Sequence, residues 1–223
     1  LVKNAQNLVS QGVKEIVLVA QDLTYYGLDI YDKRRLADLL SALSDESGAE
    51  WIRCMYAYPA KFPLDILPVI RDRKNICNYL DMPLQHASTN VLKNMRRGIT
   101  RCATEELLDQ IRQQVPDITL RSTFIIGYPS ETESDVDELM EFLQQQQLDR
   151  PPALTLAKIG STQRVLIEED LTGEYRGRTE SDAPEVDNDV YVRSDRPLSL
   201  GSFVDVVIDD AAEFDIFGQA TAI

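Results

Sequence analysis

Tyr79-Leu80-Asp81-Met82-Pro83-Leu84-Gln85-His86 begins as a buried strand and ends where the backbone must leave a sheet. Pro83 cannot donate to a ladder, and Gln85 and His86 bring polar side chains to the point of exit. In barrels and doubly wound sheets, ligands sit beyond the carboxyl ends of parallel strands, so polar residues there are placed for chemistry. The plainer reading is a strand cap, in which Gln85 and His86 satisfy loose backbone groups.

The pattern repeats on both sides of this stretch. Val13–Gln21 is a β-branched apolar run preceded by a helical turn that ends at Gly12. Leucines 36, 39, 40 and 43 recur at helical spacing within Arg34–Leu43. Glu50–Tyr58 reads as the second strand, Asp65–Arg73 as a helix, and Ile76–Leu84 as the third strand. Ser88 is placed to cap a helix running through Arg96, and Thr104 to start another that runs to Val115. Thr119–Tyr128 is the fourth strand, and Glu131–Leu148 a long amphipathic helix. Four apolar strands alternating with helices predict an α/β fold: a parallel sheet covered by helices, too few units for a complete barrel.

The character changes after Arg150. Arg164–Ile167, Glu174–Thr179, Val190–Val192, Phe203–Ile208 and Phe217–Ala220 are short strand-like segments separated by Gly173, Asn188, Pro197 and Gly201. Five such segments predict a small all-β barrel. The expected division is therefore a partial barrel over 1–150, a linker over 151–158 opened by Pro151-Pro152, and a β domain over 159–223.

The formal net charge of −14 is unevenly spread. Residues 1–150 carry 17 Lys+Arg against 22 Asp+Glu, whereas residues 151–223 carry 6 against 15. A C-terminal third this acidic repels a phosphate backbone and attracts a basic partner, so direct nucleic-acid binding is not expected. No apolar run approaches the roughly 18 residues that span a bilayer, and no membrane association is expected. Cys54, Cys77 and Cys102 are scattered without metal-ligand spacing, which predicts buried free thiols in a reducing cytoplasm and no metal site. No P-loop, GxGxxG or nucleophile elbow is present.

Read together, the strand ends offer Gln21, Asp22 and Thr24; Arg53, Tyr56 and Tyr58; Asp81, Gln85 and His86; then Arg121, Ser122, Thr123 and Gly127. In a parallel sheet they converge on one mouth suited to a polar small molecule. Arg121 within a strand is costly to bury unpaired, and Asp81 on the neighbouring strand is its natural partner. Composition and spacing leave the reaction undefined.

Longer strings carry more. Val13-Lys-Glu-Ile16 leading to Ala20-Gln-Asp22 and Tyr26-Gly27, then Tyr79–Ser88, then Leu120–Pro129 with Glu131-Thr132, resemble the radical-SAM methylthiotransferases. Gly177–Glu185 and Ala211–Gly218 resemble the TRAM domain of the branch that modifies an aspartate of ribosomal protein S12. The resemblance implies a partial radical-SAM (β/α) barrel followed by TRAM, an OB-like barrel. It also implies S-adenosylmethionine as cofactor and two [4Fe–4S] clusters whose ligands are absent from this chain. Gln21 matches the position near the methionine amino group, Gln85 that near the ribose and substrate, and Thr123, Ile125 and Gly127 the strand motif beside the adenine. Arg121 joins this group as a cofactor-side candidate; catalytic residues are not assigned.

The chain also departs from the family. The CxxxCxxC loop and its strand are missing, a sixth strand and helix are expected where Pro151–Ala153 stands, and Ser130 replaces a usual Gly. These departures mark a fragment that is expected to be inactive alone. The acidic barrel favours ribosomal protein S12 as the partner. The alternatives are a tRNA-modifying member of the same family and a non-catalytic docking piece for a basic protein.

Overall fold

The computed structural model describes residues 1–148 and 155–221. The chain divides into two compact units, one spanning Leu1–Leu148 and the other everything from residue 149 onward. Of the expected linker, residues 151–154 lie outside the described residues.

The first unit opens with helix α1 (Val2–Ser10) and then winds through β1 (Glu15–Leu18), a 3₁₀ turn at Leu23–Tyr25, α2 (Leu28–Tyr31) and α3 (Leu36–Glu46). It continues through β2 (Trp51–Cys54), α4 (Ile66–Asp72), β3 (Ile76–Asp81), α5 (Thr89–Asn94), α6 (Arg101–Gln114), β4 (Thr119–Arg121) and α7 (Glu133–Gln145). The four strands form one parallel sheet in the order β1-β2-β3-β4. Alternation along the strands separates two faces. Ile16, Ile52, Cys54, Ile76 and Leu80 join the helix leucines and isoleucines, Leu40, Ile66, Ile111 and Leu139 among them, in one core. The opposite face carries Glu15, Arg53, Tyr79 and Asp81, and it leads to the strand ends.

The strands are shorter than the apolar runs predict. β1 stops at Leu18, and Val19 is 62 % exposed. Ile125 and Ile126 are likewise exposed, beyond a β4 of only three residues. These apolar side chains lie past the strand ends, where the ladder has ended. At β4 the cause is local: Ser122 Oγ accepts from the Leu84 N–H (3.2 Å) and donates to the Met82 carbonyl (2.9 Å), taking the place of ladder bonds. A single bridge, Gln85 with Phe124, resumes the pairing.

One helix start and one cap bond also differ from the expected ones. α6 begins a turn early, because Thr100 Oγ1 accepts from the Ala103 N–H (3.3 Å) and Thr104 then lies inside the helix. Ser88 stands at the N-cap of α5, yet its hydroxyl makes no cap bond and donates to Asp135 of α7 instead (2.5 Å). That bond ties the exit of β3 to the start of α7, where Thr132 and Asp135 form a capping box.

In the second unit β5 (Thr162–Asp170), β6 (Tyr175–Arg178), β7 (Val190–Arg193), β8 (Phe203–Ala211) and β9 (Ile216–Ala220) form a closed barrel in the order β5-β6-β7-β9-β8. Val165, Ile167, Val190, Val192, Val206, Ile208 and Ile216 fill it. Closure leaves no room for a side chain at two points. A Cβ on Gly177 would stand 2.3 Å from the Leu166 carbonyl oxygen, and one on Gly218 2.4 Å from that of Val207. Each glycine pairs with the residue just before a register shift, Ile167 and Ile208, so the strands bend sharply there.

Candidate ligand-binding mouth

A cavity of about 490 Å³ opens at the carboxyl ends of β1, β2 and β3. Gln21 and Asp22 enter it from β1, Tyr56 and Tyr58 from β2, and Pro83 and Gln85 from β3, while Tyr25 and Arg97 complete the wall. The volume falls in the range of small-molecule sites. Tyr56 and Gln85 have left-handed backbone (φ 59° and 72°), which turns each off the strand's alternation.

Two charged pairs underlie this mouth. Arg53 Nε meets Glu15 Oε1 at 2.6 Å, with the arginine fully buried and its guanidinium 4.6 Å from the centre of the Tyr79 ring. Closer to the opening, Arg121 Nη1 donates to Asp81 Oδ1 at 2.8 Å. The other carboxylate oxygen, Asp81 Oδ2, accepts from the Tyr56 N–H at 3.3 Å. Fully buried Asp81 therefore joins β4 to the wall of the cavity.

The six candidate cofactor residues separate in space. Gln21 and Gln85 line the cavity. Arg121 engages Asp81 beneath it. Thr123, Ile125 and Gly127 occupy the exit of β4, exposed and outside the cavity lining. There Glu131 Oε2 accepts from the N–H groups of Gly127 and Tyr128, both at 2.8 Å, and shapes the loop.

His86 is 1 % exposed and faces inward, its Nδ1 accepting from the Ser88 N–H at 2.9 Å. The capping reading of this residue is the one its geometry matches. Asp135 collects the Ser88 hydroxyl and then the side chain and N–H of Thr132, and these bonds push its carboxyl down to about 2. Arg97 is the residue of the mouth that strand ends alone do not reveal. It follows α5 and returns to the cavity, and only the Arg96-Arg97-Gly98 string at the end of a predicted helix hints at it.

The donor set suits one of the groups the resemblance implies and not the other. A cavity of this size with amides, tyrosines and one guanidinium fits a nucleoside bearing an amino-acid end. An iron–sulfur cluster does not fit: among the described residues no group of three or more His, Cys, Asp or Glu could hold a metal. Cys54 and Cys77 are buried, and burial pushes the Cys54 thiol up to about 12, far from the thiolate a cluster needs. Cys102 is exposed on α6.

With this sheet and mouth in view, comparison with known families places the chain. Residues 1–143 match the Radical SAM superfamily and residues 159–221 the TRAM domain; the chain belongs to the Radical SAM superfamily. It is similar to the ribosomal protein uS12 methylthiotransferases RimO of Cytophaga hutchinsonii (47 % identical), Chloroherpeton thalassium (44 %) and Flavobacterium johnsoniae (40 %). Each comparison covers 98 % of this chain, and the chain spans about 60 % of the length of these relatives. No helix among the described residues is long and apolar enough to cross a membrane.

Proposed function

We propose that this chain contributes the S-adenosylmethionine-binding sheet and the substrate-docking barrel of a methylthiotransferase that acts on an aspartate of ribosomal protein uS12. The observation that carries the reading is the similarity to uS12 methylthiotransferases over 98 % of the chain, both units included. When bound, S-adenosylmethionine supplies the methyl group and the radical chemistry that the family resemblance implies. The residues of this chain bind and orient. Gln21 and Gln85 offer amide donors and acceptors from the carboxyl ends of β1 and β3, the tyrosines offer flat apolar walls, and Glu131 shapes the loop at Gly127 beyond β4.

The clusters would be held by residues outside this chain, and no step is assigned to them. Comparisons that run over 260 positions for a 223-residue chain leave stretches of the relatives without counterpart, and we place one of these at 151–158. The barrel would meet the substrate. Residues 151–223 carry nine more acidic than basic groups, which suits a basic ribosomal protein and opposes tRNA.

The test is direct. The intact gene product bearing this sequence, reconstituted with iron and sulfide under reducing conditions, is expected to add the mass of one methylthio group to uS12. An unmodified uS12, with a parallel RimO reaction running to completion, overturns the reading. Modification of tRNA in its place would support the tRNA branch.

A further inference from the structure

A row of outward side chains crosses the barrel of the second unit. By strand register Glu169 of β5 pairs with Arg176 of β6, Arg176 with Tyr191 of β7, Tyr191 with Phe217 of β9, and Phe217 with Asp210 of β8. Their neighbours along the strands, Tyr175, Val190, Val192 and Ile216, fill the core, so the row lies on the outer surface. At its centre the half-buried rings of Tyr191 and Phe217 stack, with centroids 5.3 Å apart and planes 16° from parallel. Neither ring belongs to the core or packs against it.

Carboxylates surround the pair. Arg176 meets Glu169 (2.6 Å) and Asp189 (3.3 Å), so its charge is neutralised, and Arg193 further along β7 is neutralised by Asp209 (2.5 Å). Asp215 Oδ1 accepts from the Asp189 N–H (3.1 Å), which fixes that carboxylate beside the start of β7. Burial first, then Asp215, Asp189 and Glu174, push the Tyr191 phenol above its ordinary range against the pull of Arg176. Asp210, Asp215 and Glu174 meet no basic side chain among the described residues.

Outward aromatics on OB-like barrels stack nucleobases when basic side chains track the phosphates. Here the rim has the opposite sign, with Glu169, Glu174, Asp189, Asp210 and Asp215 set against Arg176. A phosphate backbone is repelled and a cation is drawn in. A guanidinium is the cation that fits. It is flat, it stacks on a ring face, and its N–H groups can engage a carboxylate at the ring's edge, whereas an ammonium holds its water more tightly. A purely structural cross-strand pair would be indifferent to the rim. We infer that Tyr191 and Phe217 form a docking platform for an arginine side chain of a basic protein, with Asp215 and Glu174 as the carboxylate acceptors. The inference rests on the barrel being the part that meets a basic protein.

The experiment titrates the full chain with purified uS12, with a short glycine–arginine peptide and its lysine counterpart, and with a short oligouridylate. The arginine peptide should bind more tightly than the lysine peptide. Tyr191→Leu combined with Phe217→Leu is expected to weaken uS12 and the arginine peptide about fivefold, the upper end for an exposed cation–π contact. Asp215→Asn combined with Glu174→Gln keeps hydrogen-bond acceptors in place and should weaken both about threefold. Asp109→Asn combined with Asp137→Asn removes equal charge from exposed sites of the first unit and should change neither by more than about 1.5-fold. Platform variants within about 1.5-fold of the native chain, an equal loss in the first-unit control, or tighter binding of the oligouridylate than of the arginine peptide overturns the inference. Should the leucine variant melt early, the Asp215 and Glu174 variant decides. Arginine-peptide binding that the platform variants weaken, with uS12 unbound, overturns uS12 as the partner and leaves the platform. Modification of uS12 by the intact gene product, with binding unchanged in both platform variants, overturns the platform and leaves the uS12 reading.

Discussion

His86 Nε2 and Glu131 Oε1 face each other 3.9 Å apart, both buried and neither with a hydrogen-bond partner. Because Nδ1 accepts from the Ser88 N–H, the proton of the neutral ring is on Nε2, so a donor here faces an acceptor across a gap about 1 Å too wide. Glu131 is held from its other oxygen by two backbone N–H groups of the β4 exit loop. Glu131 therefore fastens the loop, while the exit of β3 only approaches it. Glu131→Ala removes both loop bonds and is expected to cost about 1–3 kcal/mol. Amide exchange at Gly127 and Tyr128 should accelerate in step with a lower melting temperature, and unchanged exchange would show that these two bonds do not hold the loop.

Ser130 has φ 81°, a left-handed backbone at the position where the family resemblance expects Gly. Its hydroxyl accepts from Asn94 Nδ2 (2.9 Å) at an exposed site and recovers part of the strain. Ser130→Gly should stabilise the protein by up to about 1 kcal/mol, the relief of the left-handed conformation less the added freedom of the unfolded chain. Chemical denaturation measures it; a destabilisation beyond about 1 kcal/mol contradicts the strain.

Asp135 makes stability depend on acid. Its folded-state value of about 2 lies below the ordinary 3.8, so the stability it contributes is complete above 3.8 and is lost as the pH falls through about 2. Asp135→Asn should melt lower than the native protein at neutral pH. The difference should shrink between about pH 4 and pH 2, because protonation removes from the native protein what the variant already lacks. A difference constant over that window would show that the charge is not the source.

Asp81 serves both Arg121 and the Tyr56 N–H. Asp81→Ala removes this partner from a partly buried guanidinium and is expected to cost about 2–3 kcal/mol, less than a fully buried pair because Arg121 is 28 % exposed. It should also weaken ligands of the cavity, since Tyr56 loses its anchor. A variant that unfolds more easily in urea yet binds methylthioadenosine normally would separate the two roles.

The two barrel glycines should tolerate nothing larger. Alanine at 177 or 218 places Cβ against a neighbouring carbonyl, and overpacking of this kind costs about 1–3 kcal/mol. Differential scanning calorimetry of either variant should show a lowered transition, with an unchanged one meaning that the strands part easily.

Much of the architecture is legible in the chain. The apolar runs locate all four sheet strands, and the short alternating segments locate all five of the barrel. Their ends are not legible. Val19, Ile125 and Ile126 are as apolar as the ladder residues before them, and only loss of pairing distinguishes them. Capping roles mislead for the same reason: Ser88 has the right identity and position for a cap, but a carboxylate 47 residues away binds its hydroxyl more strongly.

What sequence alone determined is the alternation of four strands with helices, the change to a small barrel, the acidic C-terminal third and the family strings. All of these depend on local period, composition or unbroken words of chain. Tertiary structure decided which strand-end residues share a cavity. Gln21 and Gln85 meet there with Arg97, whereas Thr123, Ile125 and Gly127 stand outside its lining. The physical reason lies where strands leave the pleat. Side-chain direction there follows no period; it is set by left-handed backbone at Tyr56 and Gln85 and by partners as remote as Asp81 and Arg121.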